Sequence, residues 1–407
     1  MTQRLYYTDS YATTFTASLV ASGQSDDGRP TVTLDRTCFY PTSGGQPFDT
    51  GMLGDVPVVE VIAADDGQVL HVLAQPLTEQ TAGSLLQGKV DWPRRYDHTQ
   101  QHSGQHLLSQ LFYQRFGYET LSVHFSELES TLDLAVASLE TAQLEEVERA
   151  ANDLCYQALP IKSYFVSDAE LPTINLRKPP KVSGQIRIVE IDRFDYSACG
   201  GTHVRSTAEI APIKLTKVER RRGQVRLSFL CGGRAGRDYA HKHQLLTQAA
   251  ALFGAELGEV PSLIERAQGQ LKEVQREVAA LHEQLLPYVA AALVQAAENI
   301  GPLRLVVQHY PDKEINALKA LASQLTQQPG MVALLATTTS GKLSLIFARA
   351  QDAEPQALHM GNLLRDALAP IGGKGGGKPD FAQGGSGDAG AAEQVLAFAR
   401  QQVTTTA

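Results

Sequence analysis

Residues 102–112 read His-Ser-Gly-Gln-His-Leu-Leu-Ser-Gln-Leu-Phe, and this stretch decides how the central part of the chain folds. The apolar residues after His106 recur at helical spacing, which predicts a helix over 102–115. His102 and His106 are four residues apart, so both imidazoles project from one helix face and can bind one ion. Taken alone, such a pair is more often an ordinary feature of a polar face.

A second short motif, Cys199-Gly-Gly-Thr-His203, has the same three-residue gap between its outer residues. Gly200 and Gly201 disfavour a helix here and allow the backbone to wrap tightly, which directs the thiolate and the imidazole at a common centre. Imidazole and thiolate together suit zinc better than magnesium, calcium or manganese. We therefore predict one Zn²⁺ site. Its four predicted ligands are His102, His106, Cys199 and His203.

His98 continues the four-residue series upstream of His102. Asp97 and Thr99 both suit the N-cap position, which predicts that His98 lies at or before the start of the helix. Its contribution as a ligand stays open. Cys199 could also be interpreted as a nucleophile, but its histidine-rich partners favour ligation. The sequence identifies no protein general base, so the catalytic residues are unknown at this stage.

The composition is that of an ordinary globular protein, with 407 residues, 43% hydrophobic and 20% charged. No apolar stretch is long enough to span a membrane, and the first residues form no secretory signal. The four cysteines are few and widely spaced, which argues against a disulfide framework. These features predict a cytoplasmic protein.

Positive charge is concentrated in one segment of an acidic chain. The net charge is −8, yet residues 177–226 contain twelve Lys and Arg against five acids, giving +7 there and −15 elsewhere. Such a distribution is typical of phosphate binding, although a solvated basic face without a partner fits the charge alone equally well. Three consecutive basic residues within it, followed by an alternating strand pattern, predict a basic hairpin tip. These residues are Arg220, Arg221 and Arg222.

The hydrophobic pattern divides the chain into four parts and predicts an α+β multidomain fold. Residues 1–93 combine short strands with turns, which favours a small β-barrel. Residues 94–235 mix strands and helices and carry the zinc motifs, residues 236–297 are helical, and residues 298–407 alternate strands with helices as in a small α/β domain.

Individual elements follow from the same patterns. Strands are predicted at 31–35, 56–62, 69–73, within 120–136, at 185–191, within 210–230, and at 303–308, 331–337 and 343–348. Further helices are predicted at 141–157, 314–325, 357–368 and 391–401.

The helical part carries apolar residues at steps of three and four over residues 262–287. Ser262 and Glu265 could form a capping box at its start, and Pro287 predicts a break. Three such heptads suit a coiled coil, either within one chain or as the interface of a homodimer.

Residues 372–385 predict a glycine-rich loop in the last part of the chain. Its spacing imitates a phosphate-binding P-loop, but Pro379 occupies the position where Ser or Thr would bind magnesium. Close approach of the backbone to RNA, assisted by Lys374 and Lys378, is the favoured interpretation, and a flexible loop is the alternative.

Four motifs then occur in the order found in one known family. Residues 95–108 and 197–204 resemble the editing domain of alanyl-tRNA synthetases and of the AlaX-type editing proteins. Residues 39–51, Phe-Tyr-Pro-Thr-Ser-Gly-Gly-Gln-Pro-Phe-Asp-Thr-Gly, resemble the glycine-rich motif of the preceding barrel. Residues 372–385 resemble the glycine-rich loop of the synthetase's C-terminal tRNA-binding domain. From this resemblance we expect the long, free-standing form of the editing proteins, without the alanine-activating domain of the synthetase.

The resemblance implies a hydrolase that removes serine, and in some cases glycine, from mischarged tRNA for alanine. It implies zinc ligation by the four residues named above. It also implies that Gly44, Gly45 and Gln46 border the pocket, and that Thr120 or Ser122 recognises the serine hydroxyl. One departure is Ala211, where the family usually has glycine.

Two other functions remain open from the residues. The first is a zinc-stabilised tRNA-binding module without hydrolytic activity. The second is a metal-dependent phosphoesterase, which the sequence disfavours because residues 97–99 read Asp-His-Thr and no carboxylate-rich metal cluster is evident.

Overall fold

The computed structural model describes residues 1–78, 80–180, 182–354 and 358–407. Lys181, counted above in the basic segment, and Ala357, the predicted start of a helix, lie outside these ranges. The chain forms two compact units, Met1–Leu252 and Phe253–Ala407. The division into four domains at residues 93, 235 and 297 stays a prediction.

The N-terminal part is the predicted barrel, and its core is formed by alternating apolar residues of six strands. The strands close in the order β2-β3-β7-β6-β5-β8. A short parallel pair, β1 with β4, lies beside them. The bounds are β1 Gln3–Arg4, β2 Thr14–Gln24, β3 Pro30–Leu34, β4 Arg36–Thr37, β5 Gly51–Leu53, β6 Val56–Ala63, β7 Val69–Leu73 and β8 Leu85–Val90.

Helix α1, Trp92–Phe116, follows the barrel directly and is buried on nearly all sides. It begins with Asp91 at the N-cap and a proline in the first turn. The prediction that His98 lies at or before the helix start is therefore wrong, since His98 lies inside α1. Proline fixes the φ angle that the first turn of a helix requires. Pro93 therefore indicates an earlier helix start than the N-cap candidates Asp97 and Thr99 do.

Two antiparallel sheets surround α1. The order of the first is β14-β15-β10-β9, and that of the second is β11-β12-β13. The predicted strand at 185–191 and the hairpin ending in the basic tip are confirmed. The bounds are β9 Thr120–Phe125, β10 Ser130–Leu134, α2 Thr141–Tyr156, β11 Ile161–Ser167, β12 Gln185–Ile191, β13 Asp195–Ala198, β14 Ile213–Arg221, β15 Gln224–Cys231 and α3 Gly232–Phe253.

Polar side chains and one glycine fit α1 against β15. The side-chain amide of Gln101 donates to the carbonyl of Cys231 at 2.9 Å, and its oxygen accepts from the Cys231 amide at 2.9 Å. A Cβ on Gly104 would lie 2.2 Å from the Cys231 sulfur. This close approach requires glycine in the middle of the helix that carries both histidines.

The long helix α4, Val260–Gln295, belongs to the second unit. It continues through Pro287, so the predicted break is wrong. The predicted capping box is also wrong, because the Ser262 hydroxyl donates to the carbonyl of Glu259 and the helix begins earlier, at Val260. The apolar residues of the heptads are 42–59% exposed along this helix. They are Ile264, Leu271, Val274, Val278, Leu281 and Leu285.

The rest of the second unit is a six-stranded sheet in the order β16-β17-β18-β19-β21-β20, in which β17 and β18 are parallel. Helices on this sheet enclose the largest apolar core of the described residues. The bounds are β16 Glu298–Ile300, β17 Leu303–Pro311, α5 Ile315–Leu325, β18 Met331–Thr339, β19 Lys342–Arg349, α6 Met360–Leu368, β20 Lys374–Gly377, β21 Phe381–Ser386 and α7 Ala392–Thr406.

The glycine-rich segment 372–385 is not a loop. It forms the antiparallel hairpin of β20 and β21 at the edge of this sheet, with Gly375 paired with Gly384. A Cβ on Gly384 would lie 2.6 Å from the Gly375 Cα and 2.7 Å from a Leu368 methyl carbon. These glycines therefore allow α6 to pack closely on the strands, which a pattern of turn residues could not reveal.

None of the helices among the described residues combines the length and the apolarity that a membrane crossing requires.

Candidate metal centre and its cavity

The four predicted ligands meet in one buried cluster. His102 and His106 extend from α1, while Cys199 and His203 lie on the loop after β13. Their ligand atoms all lie within 4.8 Å of one another. The Cys199 sulfur is 3.4 Å from Nε2 of His102 and 3.4 Å from Nε2 of His203. Zinc bonds of about 2.0–2.3 Å in a tetrahedron separate neighbouring ligand atoms by about 3.5 Å, so these positions suit one metal ion.

Each histidine has a partner for its other ring nitrogen. Nδ1 of His102 is 2.8 Å from Oε1 of Gln46, and Nδ1 of His106 is 3.1 Å from Oδ2 of Asp195. Nδ1 of His203 is 3.2 Å from the hydroxyl of Ser103. Partners of this kind fix the ring orientation and direct Nε2 toward a metal. The donor set and its supports therefore fit zinc.

Asp195 supports His106 through a charged network. Oδ2 of Asp195, which contacts His106, also accepts a hydrogen bond from Ser197 at 2.9 Å. Oδ1 of Asp195 lies 3.2 Å from Nε of Arg177. Burial disfavours protonated His106, but the hydrogen bond with Asp195 and the contact with Cys199 outweigh it and raise the pKa of His106 to about 9. A more basic imidazole is a stronger electron-pair donor to a metal.

The thiol of Cys199 is held in its ligating form. Burial opposes ionisation, but the neighbouring His102 and His203 lower the pKa of Cys199 well below its usual value. Burial lowers the pKa of His203 to about 3, which keeps its imidazole neutral. Thiolate and neutral imidazole are the protonation states that bind zinc, so His106, with its raised pKa, must release a proton when the metal binds.

The loop 199–203 depends on one glycine and one arginine. A Cβ on Gly201 would lie 2.2 Å from Cε1 of His102, so only glycine lets the loop pass the His102 ring. Arg187 on β12 is buried and donates to the carbonyls of Cys199 and Gly201 at 2.8 and 2.9 Å. The tight turn expected from Gly200 and Gly201 is thus held by Arg187, which the spacing of the Cys199–His203 motif could not identify.

His98 is not part of the cluster. It lies one turn before His102 on α1 and is buried, with no hydrogen-bond partner for Nδ1 among the described residues. Burial, followed by the charge of Arg94, lowers its pKa to about 4. Of the described residues, the group able to hold a metal contains the four predicted ligands without His98.

The segment 41–47 places Gln46 against the metal ligands. Gly44 and Gly45 have φ values of +57° and +83°, which L-residues with side chains rarely adopt. A Cβ on Gly45 would lie 2.7 Å from the carbonyl oxygen of Val123 on β9. Besides His102, Gln46 contacts Thr202, to which it donates at 2.8 Å.

A buried ion pair joins the N-terminal barrel to α1. Arg95 lies two turns before His102 and pairs with Asp49, and both side chains are almost completely buried. Arg95 also donates to the carbonyls of Ser10 and Cys38 at 2.9 and 2.5 Å. The barrel therefore fixes the beginning of the helix that carries the metal ligands.

The cluster opens into a cavity of about 770 Å³. Gly44 and the β9 residues Thr120 and Ser122 are among the residues that line it. Thr120 donates its hydroxyl proton to Ser109 at 2.7 Å, and Ser122 donates to Asp133 at 2.6 Å. Both hydroxyl oxygens keep lone pairs that could accept a hydrogen bond from a ligand.

The predicted tRNA contacts are exposed but lie outside the lining of this cavity. Arg220, Arg221 and Arg222 form the tip of the β14–β15 hairpin, and Lys374 and Lys378 lie on the glycine-rich hairpin of the second unit. Part of the basic segment is already neutralised by acids. Its ion pairs include Arg177–Asp195, Lys178–Glu119, Arg205–Asp9, Lys214–Glu148 and Arg226–Asp133.

Two parts of the chain match known domain families. Residues 186–227 match the family described as the threonyl and alanyl tRNA synthetase second additional domain, and residues 303–405 match the DHHA1 domain. The first match contains Cys199 and His203, and the second contains the glycine-rich hairpin.

Alanine–tRNA ligases match nearly the whole chain. The ligase of a Parafrankia species is 29% identical over 95% of this chain and 45% of its own length. That of Pyrobaculum calidifontis is 30% identical over 94% of this chain and 42% of its own length. The chain is a relative of the alanine–tRNA ligases. The resemblance of its motifs to the editing and C-terminal domains of those enzymes is confirmed.

The relationship covers less than half of each ligase. A solved structure, the C-Ala domain of the Aquifex aeolicus alanyl-tRNA synthetase, matches 27% of this chain and 96% of its own length with 22% identity and a TM-score of 0.24, too low to carry an argument. The matched domains support a tRNA-related editing role in general.

Proposed function

We propose that the chain is a trans-editing hydrolase that removes serine from mischarged tRNA for alanine at a Cys-His₃ zinc site, with the glycyl ester as a second substrate to be tested. One observation carries the proposal. The four candidate ligands converge at the side of a cavity in a chain related to the alanine–tRNA ligases.

The reaction makes modest demands on the protein. An aminoacyl ester is already activated, so catalysis requires a positioned water and stabilisation of the oxyanion that develops on the carbonyl. Bound zinc supplies a Lewis acid that polarises the carbonyl and acidifies water. The chain's own residues hold the ligands in place: Gln46 and Asp195 orient two histidines, and Arg187 fixes the loop of Cys199.

Thr120 and Ser122 are the candidates for recognising serine. Their protons are engaged by Ser109 and Asp133, so each can accept a hydrogen bond from the substrate hydroxyl. A site that binds a hydroxyl in this way discriminates strongly against the analogue without it, because its polar groups are then left unpaired. Alanyl-tRNA would accordingly survive.

Exposed basic residues would bind the tRNA body. The hairpin tip formed by Arg220, Arg221 and Arg222 could approach the acceptor stem, and Lys374 and Lys378 could contact phosphate elsewhere. Binding of this kind releases counterions, so deacylation should weaken as salt rises. A homodimer through the exposed apolar residues of 262–287 is part of the same proposal.

A second function is favoured by one feature of the cluster. Four protein ligands complete a tetrahedron, which is the arrangement of structural zinc, whereas catalytic zinc keeps an open position. A zinc-stabilised tRNA-binding module without hydrolytic activity would have the same four ligands.

A deacylation panel separates the two functions. Purified full chain is incubated with tRNA for alanine charged with serine, glycine or alanine, with and without a zinc chelator. The hydrolase releases serine faster than buffer does, spares alanine, and loses activity with chelator. Binding of tRNA without release of serine would support the module and overturn the hydrolase.

A further inference from the structure

The cavity next to the metal cluster has lining residues that the proposed function does not use. Besides the hydroxyl-bearing strand β9, the lining includes the aromatic rings of Tyr7, Tyr40 and Phe165, of which Tyr7 and Phe165 contact each other. Their ring centroids are 6.2 Å apart and their planes meet at 66°, so the rings form an edge-to-face corner. A flat ligand can therefore stack on one ring and abut the other.

Tyr7 is held rigidly beside the metal ligands. Its hydroxyl lies 3.5 Å from the position a Cβ would take on Gly200, the residue after Cys199. Arg4 donates to that hydroxyl at 2.8 Å, and Arg187 donates to the Tyr7 carbonyl at 2.9 Å. The guanidinium groups of both arginines lie 5.6 Å from the ring centroid. These contacts fix the ring beside the cavity.

Phe165 is a large apolar residue whose side chain is partly exposed. It lies on β11 directly opposite Arg187 of β12, and 44% of its surface is accessible. Its neighbours Tyr164 and Val166 pack into a small core cluster, whereas Phe165 lines the cavity. An aromatic ring that stays accessible inside a polar cavity offers a face on which another flat ring can stack.

Positive charge accompanies the corner. Arg177, Lys178 and Arg187 all line the cavity. Arg177 forms an ion pair with Asp195, and Arg187 donates its hydrogen bonds to backbone carbonyls. Lys178 keeps 47% of its side chain exposed; its ammonium donates to the carbonyl of Thr120 and lies 3.7 Å from Glu119, which leaves N–H donors for a ligand. Aromatic rings combined with a solvated cation are the elements that bind single-stranded nucleic acid.

We infer that the Tyr7–Phe165 corner is a stacking subsite for the terminal nucleoside of the tRNA, with Lys178 available to its phosphate. The inference rests on the proposed function, because it assumes that an aminoacyl nucleoside spans the cavity. The amino acid then lies at Thr120 and Ser122, the ester at the metal, and the base at the aromatic corner. Stacking does not depend on base identity, so the subsite recognises a nucleoside rather than a sequence.

The test compares two ligands that differ in the nucleoside. The first is adenosine with serine joined to the 3′ position through a stable amide, and the second is L-serinamide. Dissociation constants are measured by titration calorimetry with the zinc-loaded full chain. The wild-type protein should bind the nucleoside ligand more tightly than serinamide.

Three variants assign the difference to the corner. Phe165→Ala should weaken binding of the nucleoside ligand by about ten- to a hundredfold and leave serinamide unchanged. Phe165→Trp should retain the affinity, because a larger ring still stacks. Tyr156→Ala removes another exposed aromatic ring, at the end of α2 and outside the cavity lining, and should change nothing.

The outcomes separate this subsite from the hydrolase proposal. Equal affinity of wild type and Phe165→Ala for the nucleoside ligand overturns the subsite, even if serine is released from tRNA. Absence of nucleoside binding in the wild type overturns it as well. Binding that depends on Phe165, in a protein that releases no serine, supports the subsite while the hydrolase proposal fails.

Discussion

Two glycine-rich segments, 41–47 and 372–385, look alike in the sequence, but Gly44 of the first and Gly384 of the second are required for different reasons. In the first, Gly44 has a positive φ and open space around the position of a Cβ, so its conformation is what requires glycine. In the second, Gly384 has ordinary backbone angles but no room for a Cβ, so close packing requires glycine. The first segment delivers Gln46 to a metal ligand, and the second forms the edge of a sheet.

The difference shows that glycine content does not by itself identify a functional loop. Freedom of φ allows a chain to turn and present a neighbouring side chain, whereas a missing Cβ allows a helix to approach a strand. Substitutions in the first segment should therefore alter metal binding, and substitutions in the second should alter the stability of its own unit.

The largest effect is expected from removing a ligand of the metal cluster that Gln46 of the first segment contacts through His102. His106→Ala should abolish stoichiometric zinc binding and lower the rate of serine release by about a thousandfold or more, because the developing oxyanion loses its stabilisation. Zinc content is measured by mass spectrometry and deacylation with serylated tRNA. His124→Ala, an exposed histidine on β9, is the control and should keep both. Normal turnover by His106→Ala would refute the site.

Gln46→Ala should have the next largest effect. Loss of the hydrogen-bond partner of His102 should lower zinc affinity by about ten- to a hundredfold, because outer-shell partners orient the ligand. Competition with a chromophoric chelator measures this affinity. Gln87→Ala on the exposed side of β8 should leave it unchanged. Equal affinities for Gln46→Ala and wild type would remove the link between the first segment and the metal.

Gly384→Ala tests the second segment. The added Cβ would meet Gly375 and Leu368 and should destabilise the second unit by about 1–3 kcal/mol without changing zinc content. Hydrogen exchange of the β18 and β19 amides reports that stability in the full chain. Gly376→Ala is a matched control in the same hairpin, since no heavy atom lies within 4 Å of its Cβ position. Similar destabilisation by both substitutions would contradict the packing argument.

The smallest effect is expected at the two lysines of the second segment. Lys374→Ala and Lys378→Ala should each weaken tRNA binding a few-fold at low salt and reduce the slope of log affinity against log salt by about 1. Fluorescence anisotropy with labelled tRNA measures both quantities. Lys342→Ala removes a charge from the same unit outside the segment. An unchanged slope in the lysine variants would exclude a role for this hairpin in phosphate binding.

Sequence patterns predicted the metal cluster because its ligands lie in two short motifs of fixed spacing. The barrel and most strands followed from alternation, and β7 and β12 were predicted with their observed bounds. The chain also formed the predicted antiparallel hairpin with the basic tip. These features depend on contacts between residues that are near in sequence or share a periodic pattern.

Features that depend on distant residues could not be predicted in this way. Asp195, Arg177 and Arg187 support the cluster from positions that no spacing links to His106. Tyr7 reaches the cavity from the N-terminus. Pro287 was misinterpreted because proline lowers helix propensity locally, while packing along a long helix can outweigh that cost.

The ion pair of Arg95 and Asp49 has a consequence for anyone who wants to dissect the protein. A fragment starting near residue 94 would keep the arginine and remove its carboxylate together with the carbonyls of Ser10 and Cys38. The first turns of α1 would then lose the contacts that hold them in place and would be exposed to solvent. The smallest fragment that preserves the metal ligands should therefore begin with the barrel and continue to the end of the first unit at Leu252.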